Sequence, residues 1–255
     1  MPLIAAPARK VNPHCRIYCN ILHKVSLPNG NEGVCLNRNQ VNPHNLTWQN
    51  TSVGKRDRHN RNGHESFVLW FTGLSGAGKS TVANLLEQVL FVQGIHTYLL
   101  DGDNVRMGLN SDLGFSAVER RENIRRVAEV AKLFVDAGVV TLTAFISPYR
   151  SDRRMARSLY ADREFIEVYI DCPIEVCASR DPKGLYRKAQ AGQIKDFTGV
   201  AAPYEAPEQA DIVLHTDRQT PWESVQQILQ YLVARELLPA ETLLENSRET
   251  KECPR

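Results

Sequence analysis

No apolar run in this sequence of 255 residues approaches the roughly 18 residues that a helical membrane span requires. The amino terminus likewise lacks the continuous apolar core of a secretory signal. No CxxC pair occurs among Cys15, Cys19, Cys35, Cys172, Cys177 and Cys253, and their intervals do not suit a zinc site. A chain of this length needs no disulfide staples, so reduced thiols in a cytosol-like compartment are expected. A large net charge is missing too: the formal total is +2. That balance conceals an asymmetry, because residues 1–64 hold nine Lys and Arg against Glu32 and Asp57, a net of +7. The remainder holds 22 basic and 27 acidic side chains, a net of −5. A slightly acidic body behind a basic arm argues against nucleic-acid binding by the body.

Residues 1–45 contain Pro2, Pro7, Pro13, Pro28 and Pro43, many Asn and no sustained periodicity, so a disordered extension is expected. The arm is basic and acid-poor, as an organelle transit peptide is, but Ser26 is its one serine before position 50. A disordered extension or a misassigned start is therefore favoured, with a cytoplasmic protein expected. A plastid location is the alternative if the arm is a transit peptide.

The body begins near Trp48 and becomes regular at Phe67. Val68-Leu69-Trp70-Phe71 is a short apolar run ending at a glycine-rich turn, which reads as a buried parallel strand. Val82, Leu85, Leu86, Val89 and Leu90 then recur at helical spacing up to Gly94. A second strand is expected over 95–100, running into Asp101-Gly102-Asp103. A long helix follows with Ile124, Val127, Ala128, Ala131, Phe134 and Val135 on one face, stopping at Gly138. Further strands are expected over 139–146, 165–170 and 211–215, and a closing helix over 221–235 with Pro221 in its first turn. Alternation of this kind predicts an α/β fold of three layers, a parallel sheet covered by helices on both faces. Ligands of such sheets gather at the carboxyl ends of the strands, where these motifs fall.

Gly73-Leu74-Ser75-Gly76-Ala77-Gly78-Lys79-Ser80 matches GxxxxGK[ST] between an apolar strand and an amphipathic helix. Glycines let several backbone N–H groups turn toward one anion, and the helix dipole adds positive potential. Lys79 would reach the β- and γ-phosphates of ATP, and the Ser80 hydroxyl would bind Mg²⁺. Asp101 and Asp103, after the second strand, could orient or deprotonate an acceptor hydroxyl or hold magnesium through water. They could equally be turn formers. Arg120, Arg121, Arg125 and Arg126 could form a solvated face or grip an anionic acceptor. Ser147, before Pro148, is either a turn residue or part of the catalytic edge. Residues 181–188 and 195–199 bracket a basic helix suited to a lid that excludes water from phosphoryl transfer.

In this order the residues resemble the adenylyl-sulfate kinases. The similarity rests on Phe71 and Thr72, the P-loop through Thr81, Leu100-Asp101-Gly102-Asp103-Asn104-Val105-Arg106, Leu113-Gly114-Phe115 and Glu122-Asn123-Ile124-Arg125-Arg126. Phe145-Ile146-Ser147-Pro148-Tyr149-Arg150, Asp181-Pro182-Lys183-Gly184-Leu185-Tyr186 and Phe197-Thr198-Gly199 complete it. The resemblance spans about residues 48–239 and implies a P-loop kinase domain over 46–238, with a tail over 239–255. It implies transfer of the ATP γ-phosphoryl group to the ribose 3′-hydroxyl of adenylyl sulfate, with Mg²⁺, in a homodimer. By the same resemblance the ATP site comprises Gly73, Leu74, Ser75, Gly76, Ala77, Gly78, Lys79, Ser80 and Thr81. Asp103, Asn104 and Arg106 would contact the acceptor, with Asp103 as base. Phe115 and Phe197 would sandwich its adenine, and Arg120, Asn123, Ile146, Ser147 and Lys183 would complete the pocket. The family's serine is described as a phosphoserine intermediate, a role Ser147 inherits, although direct in-line transfer needs no covalent step. Three departures stand out: Gln49 follows Trp48 where the family usually has His, Gln190 follows Ala189 where it often has Arg, and residues 1–45 have no fixed counterpart. Rival readings are another small-molecule P-loop kinase, or an inactive homologue. An inactive homologue would be expected to lack Lys79, Ser80 or Asp103, and all three are present.

Overall fold

The computed structural model describes Thr47, residues 49–240 and Thr242. The expected arm over 1–45 lies outside the described residues, as do Trp48 and all of the 239–255 tail except Pro239, Ala240 and Thr242. The chain divides after Asn50, and the fold is that of the part beginning at Thr51.

Five strands, β1 (Val68–Thr72), β2 (Thr97–Asp101), β3 (Val140–Ala144), β4 (Phe165–Ile170) and β5 (Ile212–Leu214), form one sheet in the order β2-β3-β1-β4-β5. All neighbours run parallel. The central position of β1 explains its composition, since every residue from Val68 to Thr72 is buried. Period-two alternation sends Leu69 and Phe71 to one face and Val68 and Trp70 to the other. On the first face they pack with α2 (Lys79–Val92) and α8 (Pro221–Ala234), and on the second with α4 (Ala117–Asp136) and α5 (Arg150–Arg157). Trp70, wholly buried, stacks between Phe165 at 5.5 Å and Phe145 at 6.4 Å. The expected three-layer α/β architecture is what the chain adopts.

Two helices carry local end signals, of which Gly138 and Pro221 were anticipated and the capping boxes were not. Ser116 and Glu119 form a reciprocal capping box that starts α4, and Gly138 at φ 83° follows its end. Thr220 and Glu223 do the same for α8, with Pro221 in its first turn. Other elements were not foreseen. Helix α1 (Lys55–Asn62) is wholly polar with no buried residue, so it shows no apolar period. It is held instead by side chains at the amino ends of strands: Lys55 to Glu164, Asn62 to the Gly138 carbonyl, and His59 to Ser66. Helices α3 (Gly102–Met107) and α6 (Ile174–Arg180) span barely two turns, too short for periodicity to register, whereas the equally short α7 (Leu185–Gln190) falls in the segment where a basic helix was expected. Cys172 and Cys177 are free thiols, and burial pushes the Cys177 thiol up to about 12, leaving it protonated and inert.

Candidate active site

Residues 73–78 join β1 to α2 in a turn that only its glycines allow. Gly73 has φ 150°, and a Cβ there would lie 2.7 Å from the Ile170 carbonyl oxygen. Gly76 has φ 74°, and a Cβ would lie 2.8 Å from the Cys177 carbonyl oxygen. The loop is braced from outside by residues that sequence reasoning missed. Tyr186 donates its hydroxyl to the Ser75 carbonyl at 3.0 Å, and Thr216 donates to the Ala77 carbonyl at 2.6 Å. Arg180 in turn donates to the Thr216 carbonyl at 2.6 Å. Holding these carbonyls outside the turn fixes the peptide planes whose N–H groups cradle an anion.

The Lys79 side chain lies within this loop. Its ammonium donates to the carbonyls of Leu74 at 2.7 Å and Gly73 at 3.0 Å. Desolvation by burial lowers its pKa to about 8. Ser80 and Thr81, in the first turn of α2, are exposed, and Ser80 donates to Asp101 Oδ2 at 2.7 Å. Asp101 Oδ1 accepts from the Asp103 N–H at 3.0 Å, which caps α3. The two aspartates flanking Gly102 thus do different things. Asp101 ties the P-loop helix to α3, whereas the exposed Asp103 carboxylate pairs with Lys183, which precedes α7. Asn104 is exposed beside it.

A second cluster faces the strand ends from α3 and α4. Arg106 lies over the Phe115 ring at 4.4 Å and donates to the carbonyls of Leu113 and Gly114, both at 2.9 Å. Arg120 donates to the Phe115 carbonyl at 2.7 Å, to Thr198 Oγ1 at 2.9 Å and to the Asp196 carbonyl at 2.8 Å. One guanidinium therefore joins the loop carrying Phe115 to the residues on either side of Phe197. Phe115 is 60% exposed, whereas Phe197 is buried edge-on against Tyr186 at 5.0 Å. Burial lowers the pKa of both arginines, and Arg120 further lowers that of Arg106. Both keep their charge. The two guanidinium groups flank one aromatic ring, with Glu119 and Asp103 acting on Arg106 and Asp196 on Arg120. Asn123, on α4, is buried and accepts from Asn110 at 3.0 Å.

The third part follows β3. Ile146 offers its carbonyl to Thr72 Oγ1 at 2.8 Å. Ser147 is buried at φ 38°, a left-handed conformation that a residue with a Cβ adopts at a cost. Its hydroxyl accepts from Trp70 Nε1 at 3.2 Å. All the candidate residues thus fall at the carboxyl edge of the sheet or on the elements covering it. The missed contributors are Thr72, Tyr186, Tyr204 and Thr216: Thr72 and Tyr186 lie inside the quoted motifs but were given no role, and Tyr204, whose hydroxyl lies 3.0 Å from Thr72 Oγ1, and Thr216 carry no motif signal.

The adenylylsulphate kinase family model matches residues 65–215. The adenylyl-sulfate kinase of Staphylococcus haemolyticus is 57% identical over 194 residues, 76% of this chain and 98% of that protein. That of Lactiplantibacillus plantarum is 56% identical over 206 residues, 81% of this chain and all of the other. Among solved structures, the APS kinase of Mycobacterium tuberculosis in complex with AMPPNP and APS is similar at a TM-score of 0.65. It is 47% identical, covering 67% of this chain and 99% of that one. The hexameric APS kinase of Thiobacillus denitrificans gives a TM-score of 0.53 at 32% identity, over 72% of this chain and 32% of that chain. With a P-loop, a carboxylate after β2 and a pair of arginines at one edge of a parallel sheet, this chain belongs to the adenylyl-sulfate kinase family.

Proposed function

We propose that this chain transfers the γ-phosphoryl group of ATP to the ribose 3′-hydroxyl of adenylyl sulfate, giving 3′-phosphoadenylyl sulfate. The observation that carries the reading is the pair Arg106 and Arg120 around the exposed Phe115 ring, linked through α3 to a complete P-loop. An adenine nucleotide with an anionic tail suits an exposed aromatic ring set beside two guanidinium groups.

In this reading the 73–81 backbone and Lys79 hold the β- and γ-phosphates. The hydroxyl of Ser80 and the carboxylate of Asp101, 2.7 Å apart, are hard oxygen donors of the kind magnesium selects. Bound there, Mg²⁺ neutralises charge on the transferring phosphoryl group. Asp103 orients the acceptor hydroxyl and takes its proton, while Lys183 brings a cation from the lid to the same place. Arg106 and Arg120 hold the acceptor's anionic groups, Phe115 and Phe197 hold its adenine, and Asn104, Asn123 and Ile146 complete the pocket. Residues 181–199 exclude water when substrate is bound.

Ser147 serves as a fixed backbone point in this scheme, and transfer is direct. Its hydroxyl is buried and already engaged by Trp70, which suits positioning better than nucleophilic attack. Ser147→Ala is therefore expected to retain most activity. The lost hydrogen bond, worth about 1 kcal/mol, bounds the change in kcat at about fivefold. Mass spectrometry of enzyme quenched during turnover should find no phosphate on residue 147. A chemically competent phosphoserine, or loss of activity by orders of magnitude, would restore the covalent route.

The direct test is purified full-length chain with Mg-ATP and adenylyl sulfate, product being resolved chromatographically. Phosphorylation of another hydroxyl compound in preference to adenylyl sulfate would overturn the assignment. The same preparation, sized by light scattering, is expected at twice the chain mass, for a homodimer working in the cytoplasm. No described helix is long and apolar enough to cross a membrane.

A further inference from the structure

One buried cation at the carboxyl edge has no part in the chemistry above. Arg153, on α5, is 3% exposed and directs each arm of its guanidinium to a different acceptor. Nε donates to Glu167 Oε1 at 2.7 Å, Nη1 to the Ser147 carbonyl at 2.6 Å, and Nη2 to the Glu205 carbonyl at 2.6 Å. In the adenylyl-sulfate reading the two carbonyls belong to two walls of the acceptor pocket. One wall is Ile146 and Ser147, directly after β3. The other begins at Phe197, whose carbonyl accepts from the N–H groups of Val200, Ala201 and Ala202, and continues to residues 204–206.

Further bonds join the same two walls. The Glu205 N–H donates to the Pro148 carbonyl at 2.9 Å, and Glu205 Oε2 accepts from the Arg150 N–H at 2.8 Å. Thr72 Oγ1 lies 2.8 Å from the Ile146 carbonyl and 3.0 Å from Tyr204 Oη. Arg153 sits at the centre of this set and is the one side chain that reaches both carbonyls directly among these contacts.

We propose that Arg153 is a positioning residue for the phosphoryl acceptor, its guanidinium locking the 146–147 and 197–205 walls at a fixed separation. The inference rests on the adenylyl-sulfate reading for the identity of that acceptor. Two features favour this role over plain stabilisation. A buried ion pair is a poor device for stability, because apolar side chains of similar volume commonly serve as well or better. The planar fork meets three acceptors in fixed directions, which a lysine ammonium on a flexible stem cannot reproduce. The geometry also accounts for Ser147: with its carbonyl held by Arg153 and its hydroxyl by Trp70, the residue is kept at φ 38°. Glu167 balances the charge from the middle of β4, with Arg157 Nη2 3.7 Å from its second oxygen.

The test uses the full chain carrying Arg153→Lys, with Tyr204→Phe as a milder variant that cuts the second tie and leaves the buried charges intact. Arg153→Lys is expected to raise KM for adenylyl sulfate about tenfold or more while KM for ATP stays within about twofold. Amide hydrogen exchange should quicken in peptides covering 146–150 and 204–206 and stay unchanged over 73–80. A general loss of structure would move both KM values and all three peptides. Equal changes in the two KM values, or an unchanged KM for adenylyl sulfate, overturns the proposal. Should Arg153→Lys fail to fold, Tyr204→Phe decides alone, by a rise of a few-fold confined to the acceptor KM or by no such rise. If the unaltered chain does not phosphorylate adenylyl sulfate, the substrate reading fails, and the exchange pattern still decides whether Arg153 holds the two walls together.

Discussion

Lys79→Met is expected to lower kcat by at least about 10²–10³, the scale for removing one preorganised donor from developing charge. It is expected to do so without unfolding the protein. Burial holds the Lys79 pKa at about 8, against an ordinary lysine value near 10.5. Keeping that ammonium charged inside the fold at pH 7 therefore costs on the order of 3 kcal/mol. Methionine removes that cost but leaves the carbonyls of Gly73 and Leu74 without their donor, a loss of about 1–3 kcal/mol each. The two effects offset, so the melting temperature should stay within a few degrees of the unaltered chain. The pH dependence has a definite direction. Between about 8 and 10.5 the unfolded lysine holds its proton and the folded one does not, so this residue's cost to folding shrinks as pH rises. ATP affinity should move the other way, falling as pH passes through about 8 and the ammonium that faces the phosphates loses its charge. Calorimetry at pH 7 and pH 9 checks this, and an affinity that does not weaken would show that Lys79 remains charged. A variant that melts far below the unaltered chain would show that the ammonium holds the loop together instead.

The parts of this molecule legible in its sequence are those whose cause is local. The P-loop could be read because its glycines, Lys79 and Ser80 stand at fixed spacing within eight residues, although the carbonyls that crowd Gly73 and Gly76 belong to distant Ile170 and Cys177. Strand β1 could be read because a strand covered on both faces must be apolar throughout. The α4 helix announced itself by an apolar stripe at helical spacing and a terminal glycine. Helix α1 could not be read because its stabilisation comes from Glu164, Ser66 and Gly138, all distant or outside its own pattern. The sheet order was equally hidden, since nothing in β1 states that β3 and β4 are its neighbours. At the site, the sequence named candidate residues at the strand ends but not the residues that hold them in place. Arg153 sits in a run, Arg150-Ser151-Asp152-Arg153-Arg154, that looks solvated, and only Glu167 on a distant strand makes its burial tolerable. Asp101 and Asp103 looked interchangeable until one faced Ser80 and the other Lys183. Ser147 read as either a turn residue or part of the catalytic edge, and its burial against Trp70 depends on a residue 77 positions away.

Asp103→Ala is expected to lower kcat by about 10²–10⁴, the range for losing a positioned general base, with KM for ATP nearly unchanged. Two roles compete for this carboxylate: accepting the proton of the acceptor hydroxyl, or latching the lid through Lys183. Their magnitudes separate them. The Asp103–Lys183 pair is more than half exposed on both sides, at 58% and 57%. An exposed pair contributes about 0–1 kcal/mol, so a latch alone can change the rate by no more than about fivefold. A loss of a hundredfold or more therefore has to come from the chemical step. Lys183→Met provides the comparison, because it removes the latch and leaves the carboxylate. If Asp103 acts only through Lys183, the two single variants and the double variant should show the same small loss. If it is the base, Asp103→Ala should far exceed Lys183→Met, and Asp103→Asn should not rescue it, since an amide can orient a hydroxyl but cannot take its proton. Recovery of near-normal kcat in Asp103→Asn would assign the residue to orientation alone, with the proton leaving directly to solvent or to the transferred phosphoryl group.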